Sequence, residues 1–546
     1  MNTEKRNIGL LIALAVLFRL FLLQYRLAVS FDEPHYLQMA ASFATGNWSG
    51  ILHPYWSPGY PLVAGILSFF IKNYEYAGRL ANILLGSLTI YPVFLMSRRI
   101  WNQAVGYLAG TFIAFYPSLA FLHTSALAEP AYMFFSFFGV WLGWLTLEKG
   151  NWRSALAAGM CWGMAYLIKP EGLGFLLVFL GTVASYFLFR LWKRQHAREL
   201  LKALLAPVGF LLMASGYLIY LHGEAGYWTL SAKGLANQQF EAVSPENGAI
   251  FETLDENNTS FLMDEIYHTG TFLRHVQENG PKVQISAGAL LRKYLANIFR
   301  ILKYGVPSTL TLPILILFSL GLFARPWPAA SILPAIYVLT YVVFYWFGVV
   351  PLFHINERYI LSLLPAVAIW VGAGIVVLAE WFSEQAKRLN LSNWRPSLLG
   401  GSFVALFIFS LSFSPEFGKI LQDSSASAGE WGVPVELKMA GEWLKKHADK
   451  KPPIVMSYNK AVDFYAGNYE VHFGVSFSKD ASERVLAYAR NREVRYFVIT
   501  ERYLHKFPNL KTWVYDKPPS ELRPIHDVRG PDGVRAWVFT WVSSSS

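Results

Sequence analysis

The sequence has one cysteine in 546 residues. That excludes an internal disulfide framework and any multi-cysteine metal centre. Cys161 lies in an apolar run, where packing accounts for it. Charge is also scarce, at 15% of residues, against roughly 25% in soluble chains. This excludes a disordered chain and argues against a soluble enzyme. No glycine-rich loop of the phosphate-cradling kind is present, so nothing points to a nucleotide. No internal repeat is visible, which weakens transporter readings built on duplicated halves. Lys and Arg are missing altogether from two stretches, 30–58 and 116–130.

What is present is apolar and aromatic. Hydrophobic residues make up 54% of the chain, and 19 Trp and 29 Tyr supply rings that favour the membrane–water boundary. The pattern predicts a mainly α, polytopic membrane protein of about eleven spans. The first runs from Ile8 to about Ala28, with Arg19 inside it, and reads as an uncleaved span. The others are 75–97, 103–121, 127–147, 153–168, 172–190, 202–221, 307–323, 329–349, 358–381 and 397–413. Two further segments, 60–71 and 285–304, read as helices lying along the interface.

The net charge of +11 has a topological explanation. With the N-terminus in the cytoplasm, Arg98–Arg99, Lys149–Arg153, Arg190–Lys202, Arg325 and Lys387–Arg395 all fall inside. This is the positive-inside pattern of a multi-pass plasma (inner) membrane protein, and nucleic acid is not a partner. An odd number of spans puts the C-terminus outside. The chain then divides into a membrane portion, 1–414, with outer loops 29–74 and 222–306, and an extracytoplasmic portion, 415–546. The latter has soluble composition and reads as a small α/β domain. Helices are expected at Val435–His447 and Ala481–Asn491, and strands at Pro453–Tyr458, Val494–Thr500 and Val534–Val542.

The chemistry-bearing residues gather at outer ends of spans. Asp32-Glu33 follows the first span directly. Two acids beside the hydrocarbon edge are costly unless solvated or used. Asp32 is either a loop start that caps a helix over Glu33–Ala44, or a base or metal ligand. Next comes an aromatic, proline-stiffened segment, His53-Pro54-Tyr55-Trp56-Ser57-Pro58-Gly59-Tyr60-Pro61. It makes either a ligand wall or an interfacial aromatic belt. Glu129, Lys169-Pro170-Glu171 and Arg358-Tyr359 stand at three more outer ends. Carboxylates there can move protons, and Lys169 and Arg358 can hold a phosphate or snorkel to headgroups. His35, His53, His123 and His354 share this side without metal-binding helical spacing. A divalent metal on Asp32, Glu33 and His53 is one option; hydrogen-bonded boundary histidines are the other.

Asp32-Glu33, the following Tyr36, Gly46-Asn47-Trp48, the segment Trp56–Pro61, Tyr76-Ala77-Gly78-Arg79-Leu80, Lys169-Pro170-Glu171 and Glu357-Arg358-Tyr359 together resemble the GT-C class of membrane glycosyltransferases. The resemblance covers most of 8–380 and is nearest to protein O-mannosyltransferases and lipid A aminoarabinose transferases. It implies a GT-C-like fold and a sugar donor on a polyprenyl phosphate. It implies an inverting transfer to a hydroxyl on a lipid, glycan or protein acceptor. It implies Asp32 as base, with Glu33 and Glu129 as further catalytic carboxylates. Arg358, Lys169 and Tyr359 are implied at the donor phosphate, and Tyr36, His53, Tyr55, Trp56, Tyr60 and Glu171 at the substrate. It settles no cofactor, and a divalent metal stays open. The loop 222–306 lacks the repeated domains of eukaryotic O-mannosyltransferases. A transporter or lipid flippase is the alternative function. It calls for ionisable residues at mid-membrane, whereas here they cluster at one rim. A non-catalytic scaffold is a third reading.

Overall fold

The computed structural model describes residues 3–29, 32–196, 198–233, 253–254, 287–349, 357–388, 433–470 and 474–542. The first 225 residues run through α1 (Thr3–Leu23), α2 (Glu33–Ala44), α3 (Gly59–Ser68), α4 (Tyr74–Leu88), α5 (Ile90–Ile100), α6 (Gln103–Phe115), α7 (Pro117–Leu122), α8 (Glu129–Lys149), α9 (Trp152–Ile168), α10 (Gly172–Trp192) and α11 (Leu205–Ala225). Helices at Ala287–Arg300, Leu312–Phe323, Ala329–Val343, Glu357–Leu361 and Leu364–Arg388 follow. Seven described helices are long and apolar enough to cross a bilayer: Thr3–Leu23, Tyr74–Ile100, Glu129–Lys149, Gly172–Trp192, Arg198–Ala225, Ala329–Val349 and Leu364–Gln385. The chain is a polytopic membrane protein of mainly α architecture.

Several expected spans take a different form. The run 103–121 divides at Tyr116, whose backbone is extended (ψ 115°), because Pro117 disfavours a helical residue before it. The run 307–323 keeps a long helix only over Leu312–Phe323. The run 358–381 breaks after Leu361 and restarts at Leu364, with Pro365 in the first turn. That break gives Arg358 a short helix of its own. The span expected at 397–413 lies outside the described residues. The segments 60–71 and 285–304 are helical over Gly59–Ser68 and Ala287–Arg300. In the second, Leu291, Leu295 and Phe299 form an exposed apolar stripe at four-residue spacing.

Helix ends sort by charge. Arg98 pairs with Glu4 and Arg99 with Glu148, gathering the start of α1 and the ends of α5 and α8 at one end of the bundle. The starts of α2 and α8 and the end of α9 lie at the other end. Arg19 is fully buried inside α1 and pairs with no carboxylate among the described residues. Its guanidinium donates to His123 Nδ1 (3.1 Å), Ser87 Oγ (3.0 Å) and the Ile113 carbonyl (2.9 Å). Polar acceptors on three segments thus offset the cost of a cation in hydrocarbon.

Residues 433–542 carry a four-stranded sheet, ordered β1 (Val455–Met456), β2 (Tyr496–Thr500), β4 (Arg535–Trp541), β3 (Leu522–Arg529). The β1–β2 pair is parallel and the others antiparallel. Alternate residues of β2 face opposite helices. Tyr496 and Val498 pack with Leu437, Ala440 and Leu444 of Val435–His447. Phe497 and Ile499 pack with Val485, Leu486 and Ala489 of Ser482–Asn491. Strand β3 and the short helix Ala461–Tyr465 were not expected from sequence. Phe464 and Tyr465 of that helix join the buried cluster of the membrane helices, so the two portions share a core.

Close helix crossings set the bundle. A Cβ at Gly159 of α9 would meet the Ala206 carbonyl oxygen at 1.9 Å, and one at Gly209 of α11 would meet the Leu156 oxygen at 2.1 Å. Small residues let the two backbones touch, as membrane helices without a hydrophobic driving force require. Gly209→Leu should therefore lower the melting temperature of the detergent-purified protein, at a cost of about 1–3 kcal/mol. Gly216, on the same helix, has nothing within 4 Å of an added Cβ, so Gly216→Leu is the control. Equal melting temperatures for the two variants would contradict this packing.

Candidate functional site

Asp32 occupies the N-cap position of α2, but its side chain makes no capping bond. Its Oδ2 instead accepts from both terminal nitrogens of Arg358, at 3.0 and 2.9 Å. The side chains remain 27% and 33% exposed, so the pair is open to a ligand. The next residue turns away, because successive helical residues diverge by about 100°. Glu33 is fully buried and accepts the Ala126 N–H just before α8. In this structure the two carboxylates thus face different partners. Through this bond Glu33 anchors α2 to the segment before α8.

A second ion pair lies beside the first. Lys169, at the end of α9, sits 3.3 Å from Glu129, the first residue of α8, and both are buried. Its Nζ also lies 4.2 Å from the centre of the Tyr359 ring. Burial alone would pull the Lys169 ammonium down. The Glu129 and Glu171 carboxylates outweigh burial and hold it above the ordinary lysine range, so it stays charged. Four charges on four helix ends thus form two neutral pairs.

The aromatic segment forms one wall. The His35 ring stacks on Trp56 (4.3 Å, 15°), and Tyr36 meets both Trp56 and Tyr60 edge-on. Tyr60 is buried and donates its hydroxyl to the Gly78 carbonyl, so it braces α3 against α4. His53 is also buried. Its Nδ1 accepts the backbone N–H groups of Tyr55 and Trp56, at 3.0 and 3.1 Å, which shapes the turn.

With Nδ1 accepting those two N–H groups, the neutral ring carries its proton on Nε2, so in this tautomer neither nitrogen offers a free lone pair to a metal. With Glu33 turned to Ala126 and Asp32 held by Arg358, the expected set Asp32, Glu33 and His53 does not fit a metal ion. Among the described residues no group of three or more His, Cys, Asp or Glu is placed to hold one. His123 accepts from Arg19, and His354 lies outside the described residues.

Sequence reasoning missed Lys233. Its Nζ lies over the rings of Tyr55 (5.0 Å) and Trp56 (5.2 Å), and among the described residues it forms no ion pair. Burial pulls its ammonium below the ordinary lysine range, against the opposing pull of Asp32. Nothing in the sequence distinguishes it from the other cations of a polar loop. Lys233, Glu171 and Tyr359 line a cavity of about 240 Å³ whose remaining wall is largely apolar, with Leu173, Leu177, Leu230 and Phe344. The cavity thus has a charged part and an apolar part.

Comparisons with known proteins agree on this architecture. A family model described as dolichyl-phosphate-mannose-protein mannosyltransferase matches residues 53–220. No curated protein sequence matches the chain. Among solved structures, ArnT from Cupriavidus metallidurans bound to undecaprenyl phosphate is similar over 98% of both chains, at 14% identity and a TM-score of 0.55. The oligosaccharyltransferase AglB from Archaeoglobus fulgidus, in complex with an inhibitory peptide and a dolichol-phosphate, matches all of this chain and 75% of its own, at 12% identity and a TM-score of 0.54. A complex of the Archaeoglobus fulgidus oligosaccharyltransferase with zinc and sulfate covers 96% of this chain and 72% of its own, at 12% identity and a TM-score of 0.52. The chain has the GT-C-like fold of these structures. The family match takes in Glu129, Lys169 and the aromatic segment 53–61, while Asp32, His35, Tyr36, Lys233 and Arg358 lie beyond it.

The Glu129–Lys169 pair yields a stability prediction. Lys169→Met leaves a buried carboxylate without its cation and should destabilise the protein by about 3 kcal/mol. The double variant Lys169→Met/Glu129→Gln should recover most of the lost melting temperature. A double variant no more stable than Lys169→Met would show that the two charges do not depend on each other.

Proposed function

We propose that the chain is a membrane glycosyltransferase. It moves a sugar from a polyprenyl monophosphate to an acceptor hydroxyl at the extracytoplasmic face, with inversion. The observation that carries this reading is the open Asp32–Arg358 pair beside a cavity with a charged part and an apolar part. An amphiphilic donor needs both, a cationic end for phosphate and an apolar wall for prenyl. That ArnT was solved with undecaprenyl phosphate and AglB with a dolichol-phosphate supports the same ligand class. The acceptor is a lipid, glycan or protein.

The reaction follows from the groups present. The acceptor oxygen attacks the anomeric carbon, and the carbon–oxygen bond to phosphate breaks. Polyprenyl phosphate leaves with the electron pair, and the acceptor proton passes to Asp32. The leaving phosphate gains charge, so Arg358, with Lys169 and Lys233, stabilises it more in the transition state than in the ground state. Before the donor arrives, Arg358 holds Asp32 as a neutral pair. Phosphate draws the guanidinium away and frees the carboxylate to act as base. Glu129 keeps Lys169 charged and placed. Tyr36, Tyr55 and Trp56 wall the sugar, with Tyr359 against Lys169 and Glu171 at the cavity. Glu33, His53 and Tyr60 hold this frame from behind.

The site lies at the outer leaflet of the plasma membrane, with the N-terminus cytoplasmic and the basic helix ends inside. The division into a catalytic membrane portion, 1–414, and an extracytoplasmic portion, 415–546, belongs to the same reading.

Purified protein offered undecaprenyl-phosphate-linked hexoses and pentoses, with native membrane extract as acceptor, should release free undecaprenyl phosphate. Mass spectrometry reads that release. Asp32→Asn should keep the fold and lose about 10²–10⁴-fold in turnover, the span of general base catalysis. Equal release by variant and wild type would remove Asp32 as base. Arg358→Ala should raise the donor KM about tenfold, the worth of one charge-assisted contact. Unchanged KM and kcat would take Arg358 out of the site.

A further inference from the structure

Residues 26–29, shortly before Asp32, are not free backbone. They leave α1 as a strap whose polar groups are taken up one by one. Arg79 of α4 donates to the carbonyls of Arg26 and Ala28, each at 2.8 Å. Lys438, from the helix Val435–His447, donates to the Leu27 carbonyl at 3.0 Å. The Val29 N–H donates to the hydroxyl of Tyr465, at 2.9 Å. Two of these partners belong to the C-terminal portion, more than four hundred residues along the chain.

One carboxylate joins the three. Glu75, buried at the start of α4, accepts from the Tyr465 hydroxyl at 3.0 Å. It also pairs with Arg79 at 2.7 Å and lies 3.9 Å from Lys438. The far side of Asp32 is held from the same domain. In α2, Gln38 donates to the Asn468 carbonyl (2.6 Å) and Ser42 to the Tyr469 carbonyl (3.1 Å). Asp32 therefore stands between two segments, each fastened to the C-terminal portion.

We propose that the C-terminal domain is a positioning element for Asp32, acting through Tyr465 and Lys438 on the 26–29 strap. The proposal rests on the reading of Asp32 as base and gives the tail a part in the chemistry. A proton acceptor must be placed to within about half an ångström to be effective, and a strap with loose carbonyls does not hold that tolerance. Tyr465 and Lys438 touch no reacting atom in this account. They act through the strap, with Glu75 keeping the hydroxyl and ammonium oriented.

The test uses the full chain. Tyr465→Phe keeps the ring and removes the hydroxyl. Lys438→Met removes the ammonium and keeps the stem, and Lys438→Arg restores a donor. Hydrogen–deuterium exchange over 26–36 reports the strap without any donor. Turnover is followed with the undecaprenyl-phosphate sugar that the wild type consumes. Tyr465→Phe and Lys438→Met should speed exchange there and lower kcat about tenfold. Donor KM should stay within about twofold, because the phosphate contacts are untouched. Lys438→Arg should recover most of the loss. A kcat unchanged in both variants overturns the proposal, as does a parallel rise in donor KM that Lys438→Arg does not reverse. Asp32→Asn, run alongside, keeps the two readings apart. If it is fully active, the base reading falls. If it is inactive while Tyr465→Phe and Lys438→Met match wild type, the positioning proposal alone falls.

Discussion

Charged side chains at the edge of a hydrocarbon layer must be neutralised, and this structure does it in pairs. Arg358 sits on Asp32 and Lys169 on Glu129, each pair joining two helix ends that are distant in sequence. The pairing brings four ends to one rim. Each pair is neutral until a ligand comes. An anionic phosphate changes that balance, because a cation now has two carboxylate or phosphate partners to choose between. In this account the reaction starts from that competition. The less exposed pair, Glu129–Lys169, stays together and keeps the field in place. The more exposed pair, Asp32–Arg358, opens.

A site of this kind needs a frame that does not drift. Glycine crossings between α9 and α11 lock the helix that ends in Lys169. A reciprocal contact, Gly321 against Trp370 and Gly374 against Leu317, locks the helix that follows Arg358. Arg19 ties α1 to Ser87, Ile113 and His123. The strap that carries on from α1 is then held by Arg79 and by the tail.

Much of this was legible in the sequence because its causes are local. Apolar run length and the one-sided placement of Lys and Arg gave the membrane class and the rim. Val435–His447 was read to the residue from its 3.6-residue pattern. Strand β3 escaped because it is a half-exposed edge strand containing Pro524, which edges tolerate and strand patterns penalise. The division at Tyr116 was in view as Pro117 but was outweighed by hydropathy. Within the site, Asp32, Glu129, Lys169 and Arg358 announced themselves as charges beside apolar runs. Their pairing did not, since partners 40 and 326 residues apart leave no spacing to read. Adjacent Asp32 and Glu33 looked like one unit, and only the helix turn separates them. Lys233, Lys438 and Tyr465 are ordinary residues of polar segments until the chain is folded.

The most direct measurement is a structure of the protein in lipid nanodiscs with undecaprenyl phosphate bound. The account predicts that the Arg358 guanidinium lies on the phosphate, with Asp32 released toward the acceptor side and the Lys169–Glu129 contact retained. A phosphate bound elsewhere, with Arg358 still at hydrogen-bonding distance from Asp32, would contradict it.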